Sequence, residues 1–313
     1  MRTARLRIDS LALAFALAAC NVSGSWTIGI DGDARYHLEE WTGHEAELHM
    51  LGLLVRKTLA DDKGDRLTVA ALAEAEHNFE NILLHELSAK YKGPLGRWNI
   101  TAGRFIVPYG LLKTFDATRQ LYESLCPGTI GFHADNGLML SGVLGRFDYA
   151  LSVTQGYGAH HVPGFPGHGF GVARLGIAVG ETDEIILGIS GAYGETSARH
   201  HRDSALDRGL GGIDATLYAG PVLGRAEVNA GFINGASFGA GFAAIEYAIV
   251  PRLDAIVSGT LMRKDKEWND ATFVGLAFKP KWFTIRGGYR YVHYGEIHNR
   301  VSFQLYRLFS FAL

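Results

Sequence analysis

Trp26-Thr27-Ile28-Gly29-Ile30-Asp31-Gly32-Asp33-Ala34-Arg35-Tyr36-His37-Leu38 decides the fold class. Trp26, Ile28, Ile30, Gly32, Ala34, Tyr36 and Leu38 fall on one face, and Thr27, Gly29, Asp31, Asp33, Arg35 and His37 on the other. Side chains of an extended chain alternate between faces, so this stretch is a ribbon with one apolar and one charged side. A helix would scatter both kinds around its axis. The same period of two returns at Phe283, Ile285, Gly287, Tyr289 and Tyr291 against Thr284, Arg286, Gly288 and Arg290. It returns again at Ala226, Val228, Ala230 and Phe232 against Arg225, Glu227 and Asn229, and at Leu253, Ala255, Val257 and Leu261 against Asp254, Ser258 and Thr260. These runs approach ten residues, the length a tilted strand needs to cross a bilayer, where strands of soluble sheets average ~5–6.

Working outward, sixteen strands are expected near 24–38, 44–59, 65–78, 82–91, 97–107, 137–144, 146–155, 169–179, 184–193, 210–219, 222–233, 239–249, 252–262, 271–278, 282–291 and 300–313. Every second connection is then short and rich in the residues of tight turns, as at Gly145, Gly220-Pro221, Val250-Pro251 and Lys279-Pro280-Lys281. The intervening connections are mostly longer, notably 108–136, 156–168, 194–209, 263–270 and 292–299, with 39–43 and 79–81 as short exceptions. Short turns at one end and long loops at the other are the plan of a transmembrane antiparallel barrel. Aromatic residues near strand ends, among them Trp26, Tyr36, Trp98, Phe147, Tyr149, Tyr193, Phe232 and Tyr247, suit the water–lipid boundary. Arg307 interrupts the apolar face of the last strand and predicts a bulge or an interfacial position.

Composition agrees. The 313 residues are 47% hydrophobic and 20% charged, with 40 glycines and a mean hydropathy of +0.04. A helical membrane protein is far more apolar. The net charge of −2 gives no basic face for nucleic acid. At the N-terminus, Arg2, Arg5 and Arg7 precede the apolar run Leu11 to Ala19, and Ala16-Leu17-Ala18 fits a cleavage pattern, so residues 1–19 are read as a signal peptide. Leu17-Ala18-Ala19-Cys20 also fits a lipoprotein box with Cys20 as the lipidated residue, and both processing routes stay open. Residues 24–313 form a single domain. With Cys126 the one other cysteine, no disulfide framework exists.

Within 82–158 stand Glu86-Leu87, Gly103-Arg104-Phe105, Pro108-Tyr109-Gly110-Leu111, Asp135-Asn136-Gly137-Leu138 and Phe147-Asp148-Tyr149 followed by Gly156. This stretch resembles the phosphate-selective porin family and its relatives in the outer-membrane porin superfamily. Tyr109 stands where that family more often has Phe, and its dense basic ladder is absent, so the resemblance implies a porin rather than phosphate. It implies a bacterial outer-membrane channel for passive diffusion of small hydrophilic solutes or ions, with lipid around it and a homotrimer as one assembly.

The long third outer loop, 108–136, carries Leu111, Leu112, Phe115, Leu121, Tyr122, Leu125, Ile130 and Phe132, too apolar for a solvated tip. It is expected to fold into the lumen, its apolar side on Leu51, Leu53, Val55, Ile82 and Leu84. Lys113, Asp116, Arg119 and Glu123 would then face the constriction, with Arg286, Arg290 and Arg35 across the lumen and Arg104 at the loop base. An arginine face of this kind implies weak anion preference, against which Asp31, Asp33, Glu45, Glu47, Glu74 and Glu76 line a neighbouring wall.

Catalytic, cofactor and metal motifs are lacking: there is no CxxC, HExxH, CxxCH or nucleophile elbow. His160-His161, His168 and His200-His201 are read as solvated loop histidines. No enzyme, cofactor or metal is expected. Two alternatives remain open, a non-conducting barrel serving as adhesin or scaffold, and a lipid-modifying enzyme using Ser88 or Ser141 with His85.

Overall fold

A computed structural model of the chain describes residues 24–40, 43–62, 64–116, 119–158, 169–197, 205–265 and 267–313. The expected signal peptide, Cys20 and the paired outer-loop histidines lie outside these. Sixteen strands follow in order: β1 (Ser25–Glu39), β2 (Gly43–Asp61), β3 (Gly64–Glu76), β4 (Asn81–Lys92), β5 (Asn99–Ile106), β6 (Ala134–Leu144), β7 (Phe147–Thr154), β8 (Phe170–Val179), β9 (Ile185–Ser197), β10 (Ala205–Ala219), β11 (Val222–Ile233), β12 (Ala236–Val250), β13 (Leu253–Lys264), β14 (Glu267–Phe278), β15 (Thr284–Tyr294) and β16 (Glu296–Ala312). Each pairs antiparallel with its sequence neighbours, and β1 with β16 closes the barrel. The closure runs to the chain end, where Trp26 and Leu313 exchange two backbone hydrogen bonds of 2.9 Å.

Closure is what makes a sheet acceptable in lipid, because no backbone group is left unpaired at an edge. Ile30, Leu138, Leu151, Ile189, Ile213, Val228, Ile245, Val274 and Leu305 are among the large hydrophobic side chains exposed on the outside, while Asp31, Asp33, Glu74, Arg174, Asp214, Glu227 and Gln304 are buried inside. An apolar exterior on a closed antiparallel barrel is the surface of a bacterial outer-membrane protein, with the short turns on the periplasmic side. Exposed Tyr91, Trp98, Phe147, Tyr218, Tyr247, Phe278, Trp282 and Phe309 ring the short-turn end. Arg307 belongs to this girdle. Its guanidinium lies 5.5 Å from the Trp282 ring and 4.3 Å from that of Phe309, with unbroken register across β1 and β16. The position is interfacial and there is no bulge.

The outer end departs from expectation. The described residues of segments 194–209, 263–270 and 292–299, expected as long loops, are largely strand: β9 ends at Ser197 and β10 begins at Ala205, β14 begins at Glu267 and β16 at Glu296. Past the bilayer both faces of a hairpin meet water, so the apolar alternation stops while the hydrogen-bond ladder continues.

Candidate functional site

Residues 107–133 leave β5, fold into the barrel and return to β6. The neck closes where the Val107 amide donates to the His133 carbonyl at 2.9 Å. Arg104 sits beneath it, donating to the carbonyls of Leu84 (2.9 Å) and Gly158 (3.4 Å) and to Asn136 Oδ1 (3.2 Å). Buried Asp135 accepts from the amides of Gly156 and Gly158 at 2.5 and 3.2 Å. The Gly-Arg-Phe and Asp-Asn-Gly motifs are thus the hinge pieces that turn the loop inward.

The loop then meets the far wall. Tyr109 Oη donates to Asn229 Oδ1 on β11 at 2.9 Å, the Gly110 amide to Ser190 Oγ on β9 at 3.0 Å, and the Leu111 amide to Glu227 Oε2 at 2.9 Å. Gly212 makes room for the first of these, because a Cβ there would lie 2.0 Å from Asn229 Oδ1 and 3.0 Å from Tyr109 Oη. Beyond a 3-10 turn at Gly110–Lys113, Phe115 stacks on Tyr122 and Phe242 with ring centroids 5.6 and 5.9 Å away. Leu111, Leu121, Leu125 and Ile130 join Phe170, Val172, Leu210, Ile233, Phe238 and Ile256 in one apolar cluster. Each fully buried side chain of this kind contributes about 1.5–3 kcal/mol. Cys126 lies in the same layer, and burial pushes its thiol well above the ordinary value, so it is an inert packing residue.

The dry side of the loop therefore packs on the inner faces of β8 to β14, which corrects the expected contact with Leu51, Leu53, Val55, Ile82 and Leu84. Leu51, Leu53 and Ile82 are 40%, 48% and 77% exposed. Register gives the reason. Ile28 pairs with Val55, Ile30 with Leu53 and Gly32 with Leu51, then Leu53 with Ala73 and Leu51 with Ala75, and these with Leu84 and Ile82. Directly paired residues share a face, so all five point to lipid alongside Ile30.

On its opposite side the loop is held by charge. Arg119 contacts Asp31 Oδ2 on β1 through Nη2 (2.6 Å) and Nε (2.8 Å), and Glu74 Oε1 on β3 through Nη2 (3.1 Å). Its side chain is 23% exposed against 4% and 3% for the two carboxylates. Burial disfavours the guanidinium charge, but the attraction of Asp31 and Glu74 outweighs it and the pKa is raised. Gly52 lies between the two acids in register, and a Cβ there would fall 1.9 Å from Asp31 Oδ1. Only glycine leaves the gap through which both carboxylates reach one arginine.

Asp116, Glu123, Arg286 and Arg290 gather at the same junction. Asp116 pairs with Arg119 within the loop, and Glu123 with Arg290 at 2.8 Å. Arg286 donates to the Arg119 carbonyl at 3.1 Å and to Gln304 Oε1 at 2.8 Å. Arg35 is bound to Asp33 at 2.8 Å, and the Lys113 side chain lies outside the described part. Arg286 and Arg290 thus hold the loop directly and do not face it across open lumen. Sequence reasoning missed the loop-binding role of Asp31, Glu74, Asn229 and Glu227. It also missed the apolar inner wall, whose signal was β12, where Phe238, Phe242 and Ala244 alternate with Ala243, Ile245 and Tyr247, apolar on both faces. The serine–His85 pair of the alternative enzyme reading makes no hydrogen bond among the described residues: His85 meets Glu74 and Glu76 at 2.9 and 3.1 Å, while Ser88 donates to Glu86 at 2.8 Å.

No protein-family model matches the chain, and no curated protein matches its sequence. Solved structures do match. An anion-selective porin from Comamonas acidovorans superposes with a TM-score of 0.68 at 11% identity, covering 92% of this chain and 99% of that one. OprB of Pseudomonas putida gives 0.66 at 11%, covering 95% and 96%. In-vitro folded OmpT of Vibrio cholerae, in a trimer form, gives 0.68 at 11%, covering 92% and 100%. The chain has the sixteen-stranded fold of outer-membrane porins.

Proposed function

We propose that the protein is an outer-membrane channel for passive diffusion of small hydrophilic solutes or ions, and not an enzyme, with a lumen narrowed by loop 107–133. One observation carries this reading: a loop inside a closed barrel is fastened to the inner wall on one side by apolar packing and on the other by a guanidinium shared between two wall carboxylates. In this reading Arg119, Asp116, Glu123, Arg286 and Arg290 border the constriction, with Lys113, Arg35 and Arg104 nearby. Detergent-folded protein in a planar bilayer should pass discrete single-channel currents, and the Arg119→Ala variant should pass larger ones. A folded wild type that is silent, with a silent variant, would instead support the scaffold reading, which the many wall contacts of the loop favour.

The family-level resemblance extends the reading to porins with selective lumens, and an arginine face would add weak anion preference. Against that preference, Arg35, Arg286 and Arg290 are each bonded to protein acceptors. The reversal potential under a salt gradient decides the sign. A homotrimer is the assembly proposed, from the trimer form of the Vibrio cholerae protein. Removal of residues 1–19 as a signal, with or without lipid on Cys20, is tested by the intact mass of the mature protein.

A further inference from the structure

Inside the barrel, the wall formed by β1 to β4 carries a row of histidines and glutamates of which loop fastening uses Glu74. At its outer end Glu47 and His49 of β2 meet His77, which follows the end of β3. Glu47 Oε1 lies 3.0 Å from His49 Nδ1, and Glu47 Oε2 lies 3.2 Å from His77 Nδ1. The two imidazoles meet edge to face with centroids 5.3 Å apart, and one donor atom from each of the three residues falls within 4.8 Å of the others. His37 of β1 joins them, its Nε2 3.4 Å from Glu47 Oε1 and its Nδ1 2.8 Å from Ser302 Oγ.

Two donors each about 2.1 Å from one ion stand about 3.0 Å apart across an octahedral edge and about 3.4 Å apart across a tetrahedral one. The spacings around Glu47 fall in that interval. Two imidazoles and a carboxylate suit borderline divalent ions of the first transition row and not calcium or magnesium, which take oxygen donors. His37, its ring held by Ser302, would orient the Glu47 carboxylate as an outer-shell partner does at metal sites.

The backbone supplies an independent observation. His77, Asn78 and Phe79 have φ of 49°, 56° and 69°, three successive non-glycine residues in the left-handed region, which is costly for a bulky side chain. The turn is pinned onto β2. The His77 amide donates to the His49 carbonyl (3.2 Å), the Asn78 amide to the Leu48 carbonyl (3.0 Å), and the Leu48 amide to Asn78 Oδ1 (2.7 Å). This irregular turn is what carries His77 over Glu47 and His49. The His77 side chain is 49% exposed while that of Glu47 is 12% exposed, so an ion could enter from outside and meet a protected carboxylate.

We propose that Glu47, His49 and His77 form a binding site at the outer mouth for one divalent transition-metal ion of the zinc, cobalt or nickel class. As a solute class for the lumen this rests on the channel reading, whereas the binding itself does not. A second group, Glu74, Glu76 and His85, has donor atoms within the same 4.8 Å, and its Glu74 is the acid that Arg119 holds. An ion passing inward from the mouth meets it next.

The test uses the mature, detergent-folded chain with the outer-loop histidines 160, 161, 168, 200 and 201 replaced by alanine, folding being verified by heat-dependent migration. Zinc chloride titration should show tight binding, and adding His49→Ala with His77→Ala should weaken it roughly 100-fold. Glu47→Gln should weaken it as well, with a smaller change in packing. Cupric ion bound to the parent should show coupling to at least two nitrogens by electron paramagnetic resonance, and lose it in the double variant. Absent binding once the loop histidines are gone, or binding indifferent to His49 and His77, overturns the site. Conductance in potassium chloride without added metal examines the channel separately: a chain that binds zinc but passes no current keeps the site and loses the channel.

Discussion

The two sides of the lumen hold the same loop by different physics. On the β8 to β14 side, Phe115, Tyr122, Leu125 and Ile130 are buried against Phe242, Phe273 and Phe170, with hydrogen bonds from Tyr109, Gly110 and Leu111 to Asn229, Ser190 and Glu227 beside them. On the β1, β3, β15 and β16 side, the contacts are Arg119 with Asp31 and Glu74, Glu123 with Arg290, and Arg286 with the Arg119 carbonyl. Apolar burial has no partner to exchange with water and is insensitive to salt. Ion pairs bordering an aqueous lumen compete with water and mobile ions. The loop is therefore anchored on the first side and releasable on the second, and any change in pore size should come from the charged side.

Removing an anchor should have the largest effect. Phe115→Ala takes away a ring that stacks on both Tyr122 and Phe242, with the Arg225 guanidinium 4.7 Å from its centroid. A loss of about 3–4 kcal/mol is expected, read as a lower urea midpoint that does not vary with salt. A salt-dependent loss would break the contrast between the two sides.

Next comes Arg119→Ala, which leaves Asp31 and Glu74 facing each other without their cation. Uncompensated buried charge typically costs about 3–5 kcal/mol, and lumen water at the partly exposed guanidinium brings the expected loss to about 2–3 kcal/mol. Single-channel conductance should rise, and raising salt around the wild type should reproduce part of that rise. Unchanged conductance in the folded variant would show that the charged side does not set the opening.

Gly52→Ala sharpens the same point without removing a charge. The new methyl group collides with Asp31 Oδ1, so Asp31 must turn from Arg119, at about 1–2 kcal/mol, and conductance should move in the direction of the Arg119 variant by less. Glu123→Gln should matter least. Its carboxylate is 57% exposed, and an exposed pair contributes under about 1 kcal/mol. Stability should hold while the reversal potential shifts slightly toward anions.

Period-two alternation over ten-residue runs, broken by Gly and Pro turns, was sufficient for sixteen strands and the inward and outward faces of β1, and the apolar content of 108–136 for the inward loop. Those are local matters, set by the geometry of one extended chain and by which side chains water tolerates. Register was not local. Whether Leu51 and Leu53 face lipid depends on which residues of β1 they oppose, and a shift of one position reverses every side chain on the strand. The partners of the loop were likewise out of reach, because Arg119 is 88 positions from Asp31 and Tyr109 is 120 from Asn229. Only closure of the barrel brings such residues together. The sequence by itself determined a two-faced barrel with a loop inside it. The tertiary structure decided that the loop's apolar contacts lie on the β8 to β14 wall and its ion pairs on the β1, β3 and β15 wall, since that follows from which strands end up opposite the loop.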